Sequence, residues 1–537
     1  MRTSTMLVAC SSLVGLVALA SLGACVGDEA ATTPPATLTP DAAGADGSTT
    51  GTDASGGGSD SSTTTDGGVD AAPPASVGTH KFVKTYAGLY DTGTIAVHGE
   101  SAYAAGLGTT ALTVDDVPLP AANAAIVTKL DATGKAAWAK SFAGTGGNPS
   151  VRPGAVAANG TSVFVSGAFD TDTLVFGTDT LPRVGTNRAG FVASVNDADG
   201  APRWARTIKT SVADYNTTCS GIAATAAGVA VGCTVDGATI SVGTMAASTN
   251  YMSGIAGGTN DLVILMFDDL GAVKWANFFT GAGADSLSAL AADPSGDIVV
   301  LGQITSATLA DKLTGASLAK PGAAGIAVPL VAKLAAADGK IVWSKFLGTG
   351  GAAARALAVS GDGKKVAVAG AITGAVDFGI GSLAPVGATN AGDAFVVVLD
   401  ATNRTPLWQK QIGGSGDKGG EDARGVAFDG YGQVAVVGLN RSTDTKVDGV
   451  AVPSPPQAVD TGWGSFAVKL GAGGNVLWTK GFSSQNVNDA IGIESVGFTA
   501  TGELRAGGGL QGTAPLDGVT NATAVVPYQI VLWGWQP

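Results

Sequence analysis

A strand-like segment built around a tryptophan recurs through the chain, and its spacing constrains the fold more than any other feature. The segment reads KLDATGKAAWAKSFAG at 129–144, KLAAADGKIVWSKFLG at 333–348 and VLDATNRTPLWQKQIG at 398–413. The tryptophans are Trp138, Trp204, Trp275, Trp343, Trp408 and Trp478, separated by 66, 71, 68, 65 and 70 residues. Short alternating apolar runs between Gly, Asp and Asn turns indicate antiparallel strands, and no helical period is sustained. The pattern therefore predicts an all-β repeat protein.

Two more landmarks belong to the same repeat, and each occurs seven times. One is an alternating strand that ends in glycine, as in VFVSG at 163–167; the other is the strand before each turn, as in AFVVVLD at 394–400. The tryptophan strand appears only six times in full, but KFVKTYAG at 81–88 matches AWAKSFAG at 137–144, with Phe82 in place of Trp138. Circular closure explains this displacement, because the N-terminal strand would then complete the C-terminal sheet.

These landmarks together predict a seven-bladed β-propeller of four-stranded blades over residues 80–537, closed by the N-terminal strand joining the C-terminal blade. An open β-solenoid is the alternative, but it would not need a displaced strand. Within the tryptophan strand, residues two apart share a face, so Trp138, Lys140 and Phe142 make one face bulky while the other face stays small. The six tryptophans are therefore predicted to be wedges between blades. A groove that stacks carbohydrates or bases is the alternative.

The N-terminal segment, residues 1–24, has the pattern of a lipoprotein signal peptide. Arg2 precedes an apolar run that ends in LGAC at 22–25. This ending resembles a bacterial lipobox, which implies that Cys25 is acylated and becomes the mature N-terminus. Position 26 is not Asp, and by the same resemblance this implies the outer membrane of a Gram-negative bacterium, on its periplasmic or cell-surface side. An ordinary signal peptide or a transmembrane helix is the alternative.

The next segment, residues 25–79, begins with the cysteine expected to be acylated and is rich in Thr, Ser, Gly, Asp, Ala and Pro. Its charged residues are all acidic, since no Lys or Arg lies between Arg2 and Lys81. Apolar side chains are too few and too small to offset the entropy of ordering the chain, so a disordered tether to the membrane is predicted.

The combined repeat resembles the bacterial β-propeller repeat of the SBBP type over essentially all of residues 80–537. It is best matched from AFVVVLD through LWQKQIGGSGD to ARGVAFDGYGQVAVVG, whereas 219–234 lacks the Asp turn and Asn277 replaces the Lys. The resemblance implies the fold, export and an envelope location, but no reaction and no catalytic residues. The turn and tryptophan also resemble the tryptophan-docking repeat of quinoprotein propellers and of the lipoprotein propeller in the outer-membrane assembly machine. Those propellers usually have eight blades, and neither vicinal cysteines nor a convincing ligand set supports a quinone, so no cofactor is predicted.

Two cysteines, Cys219 and Cys233, lie within the repeat region. They flank a hairpin-like stretch whose midpoint, residue 226, coincides with the apparent turn, so paired strands would place them opposite each other. Because an exported protein meets an oxidising compartment, the spacing predicts a disulfide. Two buried thiols are the alternative.

Several kinds of function are disfavoured by composition. The only histidines are His80 and His98, which leaves little for a histidine triad or a multi-histidine metal site. The segment DADG at 197–200 faintly resembles a calcium loop, but it stands where other units have their turn, so no metal site is predicted. A formal net charge of −13 and the lack of a basic patch argue against nucleic acid as a partner.

Charged residues gather in the loops after the tryptophan strands, which in a propeller lie on one face near the central channel. The candidate binding residues are Asp285, Arg355, Asp417, Glu421, Asp422, Arg424 and Asp489. Lys418, Glu494 and Arg152 stand nearby in the repeat. Turn polarity and solubility are the alternative explanation for any single one of them.

The predicted function is a non-enzymatic envelope lipoprotein whose propeller binds or scaffolds a protein or a glycan through this face, with the lipid anchor as its membrane contact. The first alternative is an enzyme, a lyase or hydrolase that uses the loop carboxylates. A quinoprotein-like or outer-membrane assembly propeller is a further alternative.

Overall fold

The computed structural model describes residues 78–536, apart from residues 88, 120–122, 147–149, 184–186, 211–215, 237–238, 246, 253–259, 387–391, 416–419, 454–463, 483–489, 512, 517–518 and 524–528. All regular structure in this part of the chain is β-strand. Within the same residues there is no helix of the length and apolarity needed to cross a membrane. The described chain is therefore all-β.

The principal sheets share a core of four antiparallel strands, which in sheets 1 to 6 are taken in chain order, and hairpins extend three of these sheets to six strands. Sheet 1 comprises Leu89–His98, Ser101–Gly108, Ala124–Leu130 and Ala136–Phe142. Sheet 2 comprises Val151–Ala158, Ser162–Phe169, Ala189–Asn196 and Pro202–Thr210; sheet 3 comprises Thr217–Thr225, Gly228–Asp236, Asn260–Asp268 and Val273–Thr280. Sheet 4 comprises Ser286–Ala292, Ile298–Ile304, Val328–Leu334 and Ile341–Phe346. Sheet 5 comprises Ala352–Val359, Lys365–Ile372, Asp393–Asp400 and Pro406–Gly413; sheet 6 comprises Asp422–Phe428, Val434–Asn440, Gly464–Leu470 and Val476–Phe482.

Sheet 7 is assembled from both ends of the described chain. Ala490–Phe498, Leu504–Gln511 and Gln529–Trp535 form its first three strands, and His80–Ala87 pairs antiparallel with the third. Val83 lies opposite Trp533 in this pairing, and the Gln536 amide donates to the Thr79 carbonyl oxygen at 2.8 Å. The outer edge of Gln529–Trp535 is therefore covered by a strand from the other end of the sequence.

A hairpin or short strand pair lies between the second and third strands of each of the seven sheets. These pairs are Leu112–Val114 with Val117–Leu119, Thr173–Phe176 with Asp179–Pro182, Thr239–Gly243 with Ser248–Met252, Thr308–Asp311 with Ser317–Ala319, Val376–Asp377 with Ser382–Leu383, Lys446–Val447 with Val450–Ala451, and Thr513–Leu516 with Val519–Thr523. Several extend the last strand of the preceding sheet, as where Ile240 lies opposite Thr210 and Lys446 opposite Gly413. Gly144–Thr145, just after the last strand of sheet 1, pairs with Thr173–Phe176 in the same way. The hairpins thus cover otherwise exposed strand edges.

The sheets pack face to face in chain order. The first strand of each sheet contacts the first strand of the next, and Leu89–His98 of sheet 1 contacts Ala490–Phe498 of sheet 7. The apolar clusters lie between sheets; one contains Val127 of sheet 1 and Phe191 of sheet 2. The second and third strands are buried on both faces, as in Val434–Asn440 of sheet 6, which explains why they are almost continuously apolar. Four-stranded antiparallel sheets stacked in this way form a β-propeller.

Four tryptophans of the repeat contact the turn before the last strand of the following sheet. The indole Nε1 of Trp138 donates to the Asp197 carbonyl oxygen at 2.9 Å, and its ring covers Gly200. The same geometry joins Trp204 to Gly271, Trp275 to Gly339 and Trp408 to Gly474. These glycines have φ between 70° and 87°, and an added Cβ at any of them would lie 2.5–2.9 Å from the indole. The glycine is therefore needed both for the left-handed turn and for the close approach of the ring.

Phe82 and Trp478 make the corresponding contacts around sheet 7. The Phe82 ring covers Gly134 of sheet 1, where an added Cβ would lie 2.5 Å away, and Trp478 of sheet 6 covers Gly78. Gly78 has a φ of 57°, as expected for the glycine of such a turn. Phe82 in the last strand of sheet 7 is thus equivalent to Trp138 in the last strand of sheet 1, since each ring covers a glycine in the following sheet.

Candidate functional site

A β-bulge interrupts the first strand of the sheets at one repeated position. In sheet 5 Ala354 lies opposite Gly370 and Ala356 opposite Ala369, which leaves Arg355 as an extra residue. The extra residues of sheets 2 to 7 are Gly154, Ser220, Ser288, Arg355, Arg424 and Glu494. Sheet 1 has a wider irregularity between Tyr90 and Thr94. All of these bulges lie in the first strands, which contact one another from sheet to sheet, so the positions form one structural set on the inner side of the propeller. A bulge also twists its strand and re-aims its side chains.

The glycine landmark of the repeat explains the bulge. Gly370 and Gly438 lie in the middle of the second strand, opposite the bulge, and an added Cβ would lie 2.1 Å from the carbonyl oxygens of Ala353 and Asp422. Only glycine admits so close an approach of the bulged strand. The sequence predicted that this strand ends at the glycine. In the structure Lys365–Ile372 and Val434–Asn440 both continue beyond it.

The bulges of sheets 5, 6 and 7 carry charged side chains that meet across the sheets. The Nε atom of Arg355 lies 2.8 Å from Asp422 Oδ1 and 2.7 Å from Oδ2, and Arg424 Nε lies 2.9 Å from Oδ2 of the same carboxylate. Arg424 Nη1 lies 3.7 Å from Glu494 Oε2. The Arg355 side chain remains 43% exposed, whereas Asp422 is 14% exposed. One carboxylate therefore lies against two guanidinium groups at the solvent boundary, hydrogen-bonded to Arg355 and in an ion pair with Arg424, whose Nε makes no hydrogen bond among the described residues.

Arg441, which follows the second strand of sheet 6, adds positive charge to this cluster. Burial, and next the positive charge of Arg424, lower the pKa of the Arg441 guanidinium, while Asp422 acts in the opposite direction. We call Arg355, Asp422, Arg424, Arg441 and Glu494 the channel cluster. Its members come from three consecutive sheets.

Two of the predicted binding residues have a different role in the structure. Asp285 is fully buried and accepts hydrogen bonds from the Thr305 and Ser306 amides at 2.8 and 3.0 Å and from Ser306 Oγ at 2.6 Å. Glu421 is 1% exposed and accepts from the Ser442 amide at 3.1 Å and from Thr445 Oγ1 at 3.2 Å. Both carboxylates cap the loop after the second strand of their own sheet. Their hydrogen bonds are therefore made inside the protein, to loops of their own sheets.

Burial also raises the pKa of the Glu421 carboxyl above its usual range. Its Oε2 atom has no hydrogen-bond partner among the described residues.

The remaining candidates, Asp417 and Asp489, lie outside the described residues, as do Lys418 and Cys25.

Cys219 and Cys233 form the predicted disulfide, which is thereby confirmed. The two residues lie opposite each other on the first two strands of sheet 3, and the turn between these strands falls at Ala226–Ala227, next to the predicted midpoint. Both cysteines are fully buried, and Cys219 directly precedes the bulge residue Ser220. The disulfide therefore braces the bulge of sheet 3.

The acidic segment at 197–200 forms a turn in which the Asp197 carboxylate already has partners within the protein. Asp197 Oδ1 accepts from Tyr103 Oη at 2.6 Å, and Oδ2 pairs with Lys129 Nζ at 2.6 Å. In the described ranges no group of three or more His, Cys, Asp or Glu side chains is arranged to hold a metal ion.

An open groove of about 390 Å³ lies on the outer side of sheet 5, away from the bulges. It runs between Pro406–Gly413 and the hairpin at 446–451. Lys410 Nζ pairs with Asp448 at 2.6 Å across it, and Gln411 Nε2 donates to the Ala384 carbonyl oxygen at 2.7 Å. Polar groups of the groove are therefore already engaged in contacts within the protein.

Comparisons with known proteins give structural likeness alone. No family model and no curated protein matches the chain. Among solved structures, the Cps50 (Swd1) β-propeller domain of Myceliophteria thermophila is 9% identical with a TM-score of 0.37, over 84% of this chain and 99% of that one. BamB from Moraxella catarrhalis is 14% identical with a TM-score of 0.30, over 84% of each chain. Quinohemoprotein alcohol dehydrogenase ADHIIG from Pseudomonas putida HK5 is 10% identical with a TM-score of 0.35, over 84% of this chain and 76% of that one.

The fold and the site together define a class, an all-β propeller with a charged cluster carried by strand bulges. The charged residues were visible in the sequence, but the bulge that groups them was not recognised. The signal that could have revealed it is the glycine inside each second strand, since an isolated glycine in a strand often marks a bulge.

Proposed function

We propose that this protein is a lipid-anchored envelope protein whose seven-bladed propeller binds or scaffolds a protein or a glycan through the channel cluster, without catalysing a reaction. One observation carries the proposal. The bulge position holds charged side chains in sheets 5, 6 and 7, where it holds Gly154, Ser220 and Ser288 in sheets 2, 3 and 4. Since the bulge forms equally well with glycine or serine, folding does not require the charges, and recognition is the role we assign to them.

The contacts of Asp422 and the burial of Glu421 favour a binding role over the enzymatic alternative. Both oxygens of Asp422 lie within 2.9 Å of a guanidinium nitrogen, and Glu421 is enclosed beneath a loop. A general acid or base needs access to the proton that it transfers. A carboxylate that is occupied by two arginines is better suited to orient those arginines than to move protons.

We propose further that the ring has seven blades and is closed by the N-terminal strand. The pairing of His80–Ala87 with Gln529–Trp535 and the Phe82–Gly134 contact support this closure. Deleting residues 80–87 should lower the melting temperature strongly, because the apolar edge of Gln529–Trp535 loses its partner. Deleting residues 41–60 of the tether is the control and should leave the melting temperature unchanged. Equal melting temperatures for the two deletions would contradict the closure.

The envelope attachment is proposed from the lipobox-like LGAC at 22–25. A Cys25→Ala variant should fail to incorporate an alkyne-labelled palmitate in cells and should leave the membrane fraction. Labelling of the variant at the level of the intact protein would refute acylation at Cys25.

Affinity capture from solubilised envelopes tests the binding role. The variant carries Arg355→Ser, Arg424→Ser and Glu494→Ser, which gives sheets 5 to 7 the residue that sheets 3 and 4 have at the bulge. The control carries Asp338→Ser and Lys340→Ser, which removes an exposed ion pair from the turn before the last strand of sheet 4. We expect the bulge variant alone to lose the captured partner. Equal capture by both variants would refute the channel cluster as the binding surface.

A further inference from the structure

Asp422 holds Arg355 and Arg424 in an arrangement that leaves their terminal nitrogens available. Both guanidinium groups approach Asp422 through Nε, at 2.7–2.9 Å. Among the described residues, the Nη atoms of Arg355 have no hydrogen-bond partner, and the Glu494 carboxylate stands 3.7 Å from Arg424 Nη1, an ion-pair contact beyond hydrogen-bond distance. The carboxylate thus accepts a hydrogen bond from Arg355 Nε and lies at ion-pair distance from Arg424 Nε, and neither contact uses the Nη atoms.

We propose that the Nη groups of Arg355 and Arg424 bind an oxyanion, a carboxylate, sulfate or phosphate group carried by the ligand. The proposal deepens the proposed function and rests on it, because the oxyanion would be the part of the ligand that the channel cluster recognises. Guanidinium groups present paired N–H donors that match two oxygens of such an anion. Arginines already oriented by Asp422 lose less side-chain entropy when the anion binds.

The surroundings favour an anion over a cation. The described part of the channel cluster has three guanidinium groups and two carboxylates, and Asp422 is already engaged by two of the arginines. Arg152 of sheet 2 stands two residues before its bulge, as Asp422 does in sheet 6, and places a further positive charge at that register position. Its Nε donates to Ser150 Oγ at 2.9 Å. A bound cation would instead meet repulsion from each arginine.

Small, uncharged residues occupy the bulges of sheets 2 to 4. Gly154, Ser220 and Ser288 stand at the positions equivalent to Arg355 and Arg424. These bulges therefore carry no carboxylate that would repel an anionic ligand.

Binding of simple oxyanions to the intact, detergent-solubilised protein tests the proposal. Citrate supplies planar carboxylates, and sulfate and phosphate supply tetrahedral anions; each is titrated by calorimetry against sodium chloride of matched ionic strength. We expect saturable binding of citrate or of the tetrahedral anions. Which of them binds shows whether the site prefers a planar carboxylate or a tetrahedral anion. The Arg355→Ser, Arg424→Ser variant should bind at least tenfold more weakly, and the Asp338→Ser, Lys340→Ser control should bind normally.

Two results would overturn the proposal: no saturable binding of any of the three anions, or unchanged affinity in the Arg355→Ser, Arg424→Ser variant. Circular dichroism of that variant shows whether it is folded. If the double variant is unfolded, the single Arg355→Ser variant gives the same comparison, because the Arg355 side chain is 43% exposed. Capture of an envelope partner without oxyanion binding would overturn this inference alone. Oxyanion binding without any captured partner would leave the inference standing and contradict the proposed function.

Discussion

The indole Nε1 of Trp204 donates a hydrogen bond to the carbonyl oxygen of Asp269, 2.9 Å away in the next sheet. Its ring covers Gly271, whose φ is 78° and where an added Cβ would lie 2.5 Å from Trp204 Cδ2. A Gly271→Ala substitution should therefore destabilise the protein twice over. The left-handed backbone costs about 1–2 kcal/mol and the forced shift of the ring about 1–3 kcal/mol more. Urea unfolding measures the sum.

Gly315 provides the matched control for this contact. Its φ is 74°, but an added Cβ would meet nothing within 4 Å. Gly315→Ala should carry the backbone penalty without the packing penalty and should be the milder change. Equal losses of stability at the two positions would mean that the indole contact contributes little.

Arg404 stands where other turns of this kind have glycine. Its amide donates to the Asp400 carbonyl oxygen at 2.8 Å, as Gly339 does to Ala335 at 2.9 Å, and its φ is 64°. Because a side chain in this conformation is strained, Arg404→Gly should stabilise the protein by up to about 1 kcal/mol. The reciprocal change, Gly339→Arg, should destabilise it, since Trp275 lies 2.5 Å from the added Cβ. Thermal unfolding of both variants checks the two signs, and a lower melting temperature for Arg404→Gly would contradict the strain.

The disulfide closes a loop with a sequence separation of 14 residues between Cys219 and Cys233. The chain-entropy relation for a loop of this length predicts a loss of about 3 kcal/mol when the link is removed. The double substitution Cys219→Ala, Cys233→Ala keeps the buried site apolar and should show this loss in urea unfolding. Adding a reductant should then leave the variant unchanged while destabilising the original protein once its disulfide is reduced. A loss well below 1 kcal/mol would contradict the prediction.

Asp261 makes stability depend on pH. Burial raises the pKa of its carboxyl to about 7, and Oδ1 accepts from the Gly281 amide at 2.8 Å. An unfolded aspartate titrates near about 3.9, so between these values the folded state binds more protons than the unfolded state. Stability should therefore fall as pH rises from about 4 to about 7, by at most roughly 1.4 kcal/mol per pH unit from this group, and change little above that.

Asp261→Asn should flatten the fall in stability, because the amide keeps the acceptor oxygen and does not titrate in this range. Asp400→Asn is the control. Backbone hydrogen bonds lower the pKa of the Asp400 carboxyl, so its removal should leave the fall between pH 4 and 7 in place. Denaturant unfolding at several pH values compares the three proteins; a fall that persists undiminished in Asp261→Asn would assign it to other groups.

The all-β repeat and the disulfide were predictable because both depend on local regularities. Alternating apolar runs report strands directly, and the midpoint between Cys219 and Cys233 falls beside their turn. Phe82 could be aligned with Trp138 because the residues around it repeat as well.

The arrangement of the site was less accessible to sequence reasoning. A bulge is a property of two strands in register, so Arg355 looks like an ordinary strand residue until its partners are known. Similarly, Asp285 and Glu421 each follow a glycine-rich loop. Exposed carboxylates in turns have the same sequence context, so the sequence does not distinguish the two cases. Their burial depends on loops some 20 residues farther along the chain, to which they supply hydrogen-bond acceptors.

We propose that recognition occurs at the bulges beside the propeller axis. Site-specific photocrosslinking in cells tests this location, with a benzophenone amino acid at Ser288, a bulge position outside the channel cluster, or at Lys364, in the exposed turn between the first two strands of sheet 5. We predict a discrete adduct from position 288 that disappears when Arg355 and Arg424 are replaced by serine, and no such adduct from position 364. An adduct from position 364 alone, or one from position 288 that persists without the two arginines, would contradict the claim.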